Sequence, residues 1–267
     1  MKFYKYQGAG NDFLIADNRN GKISLTAKEI QELCDRRYGI GADGLMLLEN
    51  AEGYDFRMVY YNSDGSGGMM CGNGGRCIVA FADRCGMPVK NFIAADGPHE
   101  ASILSRNGNT LEVKLKMKDV DEVVTYPQEG IEGMFLDTGT RHLVCPVKNI
   151  DSFDVAVEGR RRRWLEEFAP AGVNVNFIER KGDTLHVRTF EKGVEAETYA
   201  CGTGITASAI AEWHLQHPGT ACNTSQTTTR IKALRDNLSV EFTPTTNGAS
   251  DIWLIGPAAF VAEIITE

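Results

Sequence analysis

Two cysteines stand where a glycine-rich turn meets an apolar segment. Cys71 lies in "YYNSDGSGGMMCGNGGRC" and Cys201 in "YACGTGITASAIA". Each is followed by Gly-x-Gly at a predicted helix start, where unpaired backbone N–H groups and the positive end of the helix dipole concentrate. Such a position favours the thiolate form of a cysteine, and the glycines let an anionic ligand approach the backbone. The pair therefore predicts a base on one side of a carbon atom and an acid on the other.

The elements around the two cysteines repeat. Ahead of the first, "DFRMVYY" (residues 55–61) alternates as a strand does, and ahead of the second, "LHVRTF" (residues 185–190) does the same. A loop leads to each cysteine, and the segment after it is apolar almost all round until Gly86 or Pro218 ends it. A helix that is apolar on every side is a buried helix, so each half predicts strands wrapped around a central helix.

A polar segment joins the two halves. Residues 118–130, "KDVDEVVTYPQEG", include a proline and predict a crossover between them. The last strand, "FVAEIIT", is expected to return to the first half. The predicted domains are residues 1–117 with 258–267, which carry Cys71, and residues 118–257, which carry Cys201.

The segment "GIGADG" (residues 39–44) matches the glycine pattern of a dinucleotide site by its letters alone. That fingerprint needs a strand before it and a helix after it. Here Thr26 to Glu29 predict a capping box that opens a helix ending near Gly39, and the apolar run "LMLLE" follows the glycines. Because this order is the reverse of the required one, we predict no dinucleotide site.

The other cysteines and the histidines predict no metal site. No C-x-x-C pair occurs, and "HLVC" (residues 142–145) is a lone half-site, whereas structural zinc normally takes four ligands. We therefore predict neither a metal nor a cofactor. The cysteines outside the pair are expected to be inert small hydrophobes: Cys34, Cys77, Cys85, Cys145 and Cys222.

Composition excludes several classes of function. The chain of 267 residues is 42% hydrophobic and 24% charged, as globular proteins are. Its net charge of −8 argues against nucleic acid as a partner, and in "GRRRRWLEEF" we expect a solvated helix start whose arginines pair with Glu166 and Glu167. No stretch approaches the ~20 apolar residues of a membrane span, and "MKFYKYQGAGND" lacks the apolar core of a signal peptide. Seven cysteines without framework spacing then predict a cytoplasmic protein with free thiols and no membrane partner.

Six segments together resemble the diaminopimelate epimerase family of cofactor-independent amino-acid racemases. They are "NSDGSGGMMCGNGGRC", "FEKGVEAETYACGTG", "KYQGAGNDF", "RRYGIGADG", "GVNVNF" and "IGPAAFVAEI", and the resemblance covers essentially the whole chain. It implies an α/β (α+β) fold of two pseudo-symmetric domains, each a curled mixed β-sheet around a central helix, with the active site between them. That fold agrees with the repeat of strands and central helices described above.

The resemblance also implies an activity. It predicts an isomerase that interconverts LL- and meso-2,6-diaminopimelate, a small-molecule substrate, in lysine and peptidoglycan precursor biosynthesis. Without pyridoxal phosphate the protein itself must stabilise the carbanion-like state. One thiolate then removes the α-proton while the opposite thiol delivers another. Homodimers occur in the resembling family, so the chain is a candidate homodimer.

Site residues follow from the resemblance position by position. Cys71 and Cys201 are similar to the two catalytic thiols. A glutamate near the reacting amino group corresponds to Glu191, and a histidine at the site to His142. The remaining implied substrate-binding positions are the asparagines and the helix-start residues: Asn11, Asn62, Gly72, Asn73, Asn174, Gly202 and Thr203.

Four residues depart from the family pattern at the end of the site that reads the non-reacting part of the substrate. Gly44 stands where many members have glutamine, and Thr140 and Arg141 replace an asparagine and a proline. Lys192 replaces an arginine, which keeps the charge but loses the bidentate fork. Arg141 offers such a fork and is a candidate compensator. Two alternatives stay open: a related racemase of another amino acid and a thiol redox protein.

Overall fold

The computed structural model describes residues 1–68, 70–128, 131–219 and 225–266. They form two compact units, Met1–Leu115 with Gly256–Glu267, and Lys116–Ile255. The sequence predicted domain boundaries after residue 117 and before residue 258, and the division into two domains stays a prediction. Five positions in the motifs, ranges and cysteines named above lie outside the described residues: Met69, Glu129, Gly130, Cys222 and Glu267.

The strands are β1 (Lys2–Gly8), β2 (Asn11–Asp17), β3 (Gly44–Glu49), β4 (Phe56–Asn62), β5 (Asn91–Ala94), β6 (Gly97–Asn107), β7 (Thr110–Lys116), β8 (Val123–Gln128), β9 (Ile131–Asp137), β10 (Arg141–Pro146), β11 (Asn174–Lys181), β12 (Thr184–Glu191), β13 (Ala196–Thr198), β14 (Thr227–Lys232), β15 (Asn237–Pro244) and β16 (Ala249–Ile265). The α-helices are α1 (Ala27–Cys34), α2 (Gly72–Arg84), α3 (Val155–Arg163) and α4 (Gly202–Gln216). Short 3₁₀ turns cover Ile150–Ser152 and Glu166–Phe168.

The sheet of the first unit closes on itself. Its strands follow the order β1–β2–β3–β4–β5–β6–β7–β16, and β16 pairs with β1 again. The pairs β2–β3 and β4–β5 are parallel and the other pairs are antiparallel, so the sheet is mixed. Tyr6 faces Phe260 in the closing pair. The predicted return of the last strand to the first half is therefore confirmed.

The second unit repeats this pattern of pairing. Its strands follow the order β8–β9–β10–β11–β12–β14–β15–β16, and β13 pairs with β12. From β9 onward along this order the pairs are antiparallel, parallel, antiparallel, parallel, antiparallel and antiparallel. The strands β1 to β7 show the same succession. The repeat predicted from two short motifs is therefore a repeat of topology.

Each unit surrounds one buried helix. In α2 every residue from Gly72 to Ala82 is buried, and in α4 burial extends to Glu212. A methyl group added at Gly74 would lie 3.4 to 3.6 Å from side chains of β2, β3 and β4, which shows how closely the strands cover the helix. Both central helices begin and end close to their predicted positions, and the predicted fold class is confirmed. Within the described residues no helix is both long and apolar enough to cross a bilayer.

The predicted capping box is present, but its helix is shorter than expected. The Thr26 hydroxyl accepts from the Glu29 backbone N–H, and the Glu29 carboxylate accepts from the Thr26 backbone N–H. The helix ends at Cys34, not near Gly39, because Asp35 turns to an extended conformation. The Asp35 carboxylate then accepts from the backbone N–H groups of Arg37 and Tyr38 at 2.7 and 2.6 Å, which stabilises a turn instead of another helical turn.

The arginine run was predicted wrongly. It lies at the carboxyl end of α3, whose amino end is capped by Asp154, and not at a helix start. Glu166 lies in the following 3₁₀ turn with Glu167, whereas Arg161 and Arg162 pair with Glu158, and Arg163 pairs with Glu195. Arg162 and Arg163 are 8% and 4% exposed, so this part of the run is buried.

Two segments expected to be irregular contain strands. The predicted crossover includes β8, which pairs with β9 along its whole length. The loop "EKGVEAET" includes β13, which pairs with the end of β12. β8 lies at one end of the strand order, and β13 lies off that order. The proline in β8 and the three-residue length of β13 left little apolar alternation to detect.

Candidate active site

In the first unit, the thiol of Cys71 stands over the first turn of α2. Cys71 has an extended backbone, with φ −116° and ψ 136°, and occupies the position just before the helix. Its Sγ accepts from the Gly74 backbone N–H at 3.5 Å, as a capping oxygen would. The sequence Cys-Gly-Asn-Gly therefore places a half-buried sulfur at the positive end of a buried helix.

An asparagine from β2 meets this thiol. Asn11 Oδ1 accepts from the Cys71 thiol at 3.7 Å and from Asn73 Nδ2 at 3.4 Å. The Asn11 amide nitrogen donates to Asp43 at 2.7 Å. Because one side of the amide meets donors and the other an acceptor, the orientation of Asn11 is determined. The structure thus brings three predicted site residues together in one unit.

A buried arginine that sequence reasoning missed positions Asn73. Arg76 is fully buried within α2 and donates to Asn73 Oδ1 at 2.9 Å, to the Gly72 carbonyl at 3.2 Å and to the Pro257 carbonyl at 3.4 Å. The Asn73 oxygen is thereby occupied, and its amide nitrogen is left to donate to Asn11. A charged residue within the buried stretch from Gly72 to Ala82 was the available signal.

Charged residues at the surface hold Asp43 in turn. The Arg36 guanidinium reaches both Asp43 and Asp12, at 2.7 and 2.6 Å, and Lys5 contacts Asp12 at 3.0 Å. Burial alone would raise the pKa of Asp12, but hydrogen bonds from Arg36 and Lys5 outweigh it and lower that pKa below its ordinary value. Asn11 is therefore tied to an ionised network.

The departure at Gly44 has a steric cause. Gly44 faces Asn62 across the β3–β4 pair, and a β-carbon at Gly44 would lie 2.5 Å from the Tyr60 ring. A β-carbon at Gly68 would lie 2.2 Å from the same ring. Tyr60 therefore fills the space that a side chain at residue 44 would need. Asn62 itself donates to the Ser66 hydroxyl at 3.0 Å.

In the second unit, the thiol of Cys201 occupies the matching position before α4. Its backbone is extended, with φ −100° and ψ 112°, and the residue is 7% exposed. The Sγ atom lies 3.4 Å from the Thr203 hydroxyl. Thr138 directly follows β9, and its hydroxyl donates to the Thr203 carbonyl at 3.1 Å. This hydrogen bond ties the first turn of α4 to the end of β9.

Parallel pairing of β10 with β11 brings His142 beside Asn174. His142 is fully buried, and burial together with the nearby charge of Lys192 lowers its pKa to about 3. Asn174 uses its amide to tie strand ends together: it accepts from the Lys192 backbone N–H at 2.8 Å and donates to the Arg141 carbonyl and the Thr140 hydroxyl at 3.2 and 3.4 Å. Asn174 therefore positions the Lys192 backbone and the Thr140 side chain.

Of the other predicted residues, Glu191 lies at the end of β12 and Arg141 at the start of β10. Glu191 ends β12, and its carboxylate accepts from Thr198 at 2.8 Å. The Arg141 guanidinium donates to the Phe168 carbonyl at 3.5 Å. Since successive side chains of a strand alternate between faces, Arg141 extends from the face opposite His142. The structure thus separates Arg141 from His142 and its neighbours.

The other described cysteines differ from the pair. Burial raises the pKa of Cys34 to about 11, and it also raises the pKa values of Cys77, Cys85 and Cys145. Such thiols are weak nucleophiles at neutral pH. Among the described residues, no three His, Cys, Asp or Glu side chains group closely enough to hold a metal ion.

Comparison with known sequences points in one direction. A family model described as diaminopimelate epimerase matches residues 3–124 and 134–255. The diaminopimelate epimerase of Flavobacterium psychrophilum is 45% identical to this chain, over 98% of this chain and 99% of its own length. That of Chlorobaculum tepidum is 45% identical over 78% and 82%, and that of Aquifex aeolicus 40% identical over 80% and 81%.

Comparison with solved structures supports the fold. A phenazine biosynthesis protein of the PhzF family from Bacillus anthracis matches with a TM-score of 0.74 at 16% identity, over 100% of this chain and 99% of its own. A probable proline racemase from Agrobacterium radiobacter matches with a TM-score of 0.67 at 16% identity, over 100% and 92%. At such identities the likeness concerns the fold alone.

Proposed function

Because the chain belongs to the diaminopimelate epimerase family, we propose that it interconverts LL- and meso-2,6-diaminopimelate by inverting one α-carbon. The observation that carries this proposal is that each unit holds a thiol at the amino end of a buried, glycine-rich central helix. The two units repeat one topology, and the repeat supplies two chemically equivalent groups. An inversion needs two such groups, one for each face of the carbon.

The proposed reaction moves one proton off the substrate and another on. The thiolate of one cysteine takes the α-proton and becomes a thiol, while the electron pair of the C–H bond moves into the carboxylate. The thiol of the other cysteine then gives its proton to the opposite face of the carbon and becomes a thiolate. Cys71 and Cys201 exchange protonation states in each turnover, so the reverse reaction uses them in the opposite roles.

Helix-start amides are the groups that would stabilise the charge. An α-proton is very weakly acidic, so negative charge that builds on the reacting carboxylate must be met by fixed donors. The first-turn residues of both central helices, Gly72 and Asn73 with Gly202 and Thr203, offer backbone N–H groups at positive helix ends. Glycine at the first position lets the carboxylate come close to the backbone.

The remaining site residues read the amino group and the far end of the substrate. Glu191 supplies a carboxylate for the reacting ammonium group. Lys192 supplies a positive charge for the distal carboxylate, and polar groups for the same part of the substrate come from Asn62, Asn174 and Thr140. Arg141 is left out of this assignment because its guanidinium contacts the Phe168 carbonyl on the opposite face of β10.

Deuterium uptake tests the proposal directly. We expect the wild-type protein in heavy water to place deuterium on the α-carbon of diaminopimelate, read by mass spectrometry, and to leave a panel of other amino acids unlabelled. Cys71→Ala and Cys201→Ala should each keep the fold by circular dichroism and lose turnover to below a few per cent. The two-thiol mechanism is wrong if either variant retains more, and another amino acid that labels faster would indicate a related racemase.

We further propose a setting for this activity. The reaction would serve lysine and peptidoglycan precursor synthesis in the cytoplasm, where free thiols persist. The family resemblance also predicts a homodimer. Light scattering of the purified protein measures its mass against the 29.3 kDa of one chain.

A further inference from the structure

A chain of buried hydrogen bonds behind His142 includes a residue that the proposed function does not use. Asn176 is fully buried on β11, two residues beyond Asn174 and on the same face. Its Nδ2 lies 3.0 Å from His142 Nδ1, and its Oδ1 accepts from the Thr189 hydroxyl at 2.9 Å. The three side chains come from three neighbouring strands, so the sheet itself sets their order.

Two independent contacts determine which way the Asn176 amide points. Its Nδ2 also faces the Leu143 carbonyl at 3.5 Å, and a carbonyl can only accept. Its Oδ1 accepts from the Thr189 hydroxyl at 2.9 Å. Both contacts place nitrogen toward His142 and oxygen toward Thr189. His142 Nδ1 must therefore be the acceptor.

The consequence is a defined form of His142. If Nδ1 accepts, the proton of the neutral ring is on Nε2. The Nε2 atom is buried and has no hydrogen-bond partner among the residues that the structure describes. A buried N–H that no described group satisfies is costly unless a ligand accepts from it. The position that a β-carbon at Gly204 would take is 2.3 Å from Asn176 Oδ1 and 3.3 Å from Cys201 Cβ. The hydrogen-bonded side chains therefore lie close to the catalytic thiol.

We propose that Asn176 is a positioning residue that locks His142 as a neutral imidazole with its proton on Nε2, as a donor to negative charge on the reacting substrate and not as a general base. This inference rests on the proposed function for the identity of the substrate. Burial and the charge of Lys192, which lower the pKa of His142 to about 3, agree with a ring that stays neutral.

The tautomer can be read without any activity. Long-range ¹H–¹⁵N spectra of the labelled protein, which has five histidines, distinguish a protonated ring nitrogen from a bare one. His142 signals are assigned by their loss in His142→Gln. We expect Nε2 protonated and Nδ1 bare from pH 8 to pH 5 in the wild type. In Asn176→Asp a carboxylate replaces the donor, so we expect His142 to take up a second proton and to titrate in this range.

Kinetics then separate a donor from a base. A glutamine amide nitrogen can occupy the place of Nε2, whereas the shorter asparagine amide cannot. We expect His142→Gln to keep kcat for α-deuterium exchange within about 10-fold, and His142→Asn to lose about 10²- to 10³-fold, as removal of one fixed donor does. Thr229→Val alters a threonine buried in β14 and serves as a control with wild-type turnover.

Each outcome decides something. A wild-type proton on Nδ1, or an unchanged His142 spectrum in Asn176→Asp, overturns the positioning role. Equal losses in His142→Gln and His142→Asn overturn the donor role and support a base. If Asn176→Asp fails to fold, Thr189→Val removes the donor to Oδ1, and an unchanged His142 tautomer with unchanged kcat contradicts the proposal. A locked tautomer in a protein that never labels diaminopimelate would refute the proposed function alone.

Discussion

Alanine at two equivalent glycines should have opposite effects on stability. Gly74 and Gly204 are each the third residue of a central helix, α2 and α4 respectively. A β-carbon at Gly74 meets Met46, Met58 and other atoms at 3.4 Å or more, which is ordinary contact. A β-carbon at Gly204 would lie 2.3 Å from Asn176 Oδ1, closer than the 3.0 Å that real contacts respect. The same substitution is therefore accommodated in one unit and obstructed in the other.

The expected loss of stability in Gly204→Ala follows from the hydrogen bonds of Asn176 that the added methyl group disturbs. To relieve the contact, the amide must move by the difference between 3.0 and 2.3 Å, about 0.7 Å. Such a shift disturbs its buried hydrogen bonds to His142 and Thr189, worth about 1 kcal/mol each, with about 1–3 kcal/mol more for groups left unsatisfied. Alanine returns at most about 1 kcal/mol as a better helix former. Gly204→Ala should lower the free energy of unfolding by about 2–5 kcal/mol, and Gly74→Ala should raise it by up to about 1 kcal/mol.

Urea unfolding followed by far-UV circular dichroism measures both variants against the wild type. A change in midpoint with an unchanged slope reports stability itself. Thermal scans should agree in sign, with a shift of about 2–4 °C per kcal/mol for a chain of this size class. If Gly204→Ala is as stable as the wild type, or if Gly74→Ala is destabilised equally, the steric reasoning about Asn176 fails.

Three further predictions concern specificity, packing and pH. Lys192→Met should raise KM for diaminopimelate far more than it lowers kcat, because a distal contact does not change as the proton moves; steady-state kinetics with equal effects on both would contradict this. Gly44→Gln should destabilise the protein by roughly 1–3 kcal/mol through overpacking against Tyr60, and Tyr60→Ala in the same chain should restore part of that loss in urea unfolding. The pKa of Asp12 is lowered in the folded protein, so its ion pairs contribute stability above the ordinary Asp pKa of about 4. That stability is lost as the pH falls through the lower folded-state pKa. In a plot of unfolding free energy against pH, Asp12→Asn should therefore flatten the acid limb.

Local sequence patterns were sufficient for the elements that carry the chemistry. The Gly-x-Gly after each cysteine, the apolar runs behind them and the alternation of "DFRMVYY" and "LHVRTF" predicted two buried helices, each preceded by a strand. The capping box at Thr26 was equally local. Such features are readable because a helix start or a half-buried strand depends on neighbours within a few residues.

What the tertiary structure decided depends on residues far apart in the chain. The sequence predicted Arg162 and Arg163 as solvated charges, yet the fold buries them. Arg76 is buried within α2, where it donates a hydrogen bond to Asn73. The positioning role of Asn176 depends on the pairing of β11 with β10 and β12, which places it between His142 and Thr189. It also depends on Gly204, which leaves room for the Asn176 oxygen. Sheet register and side-chain packing are long-range properties, so a single sequence shows the residues but not which of them meet.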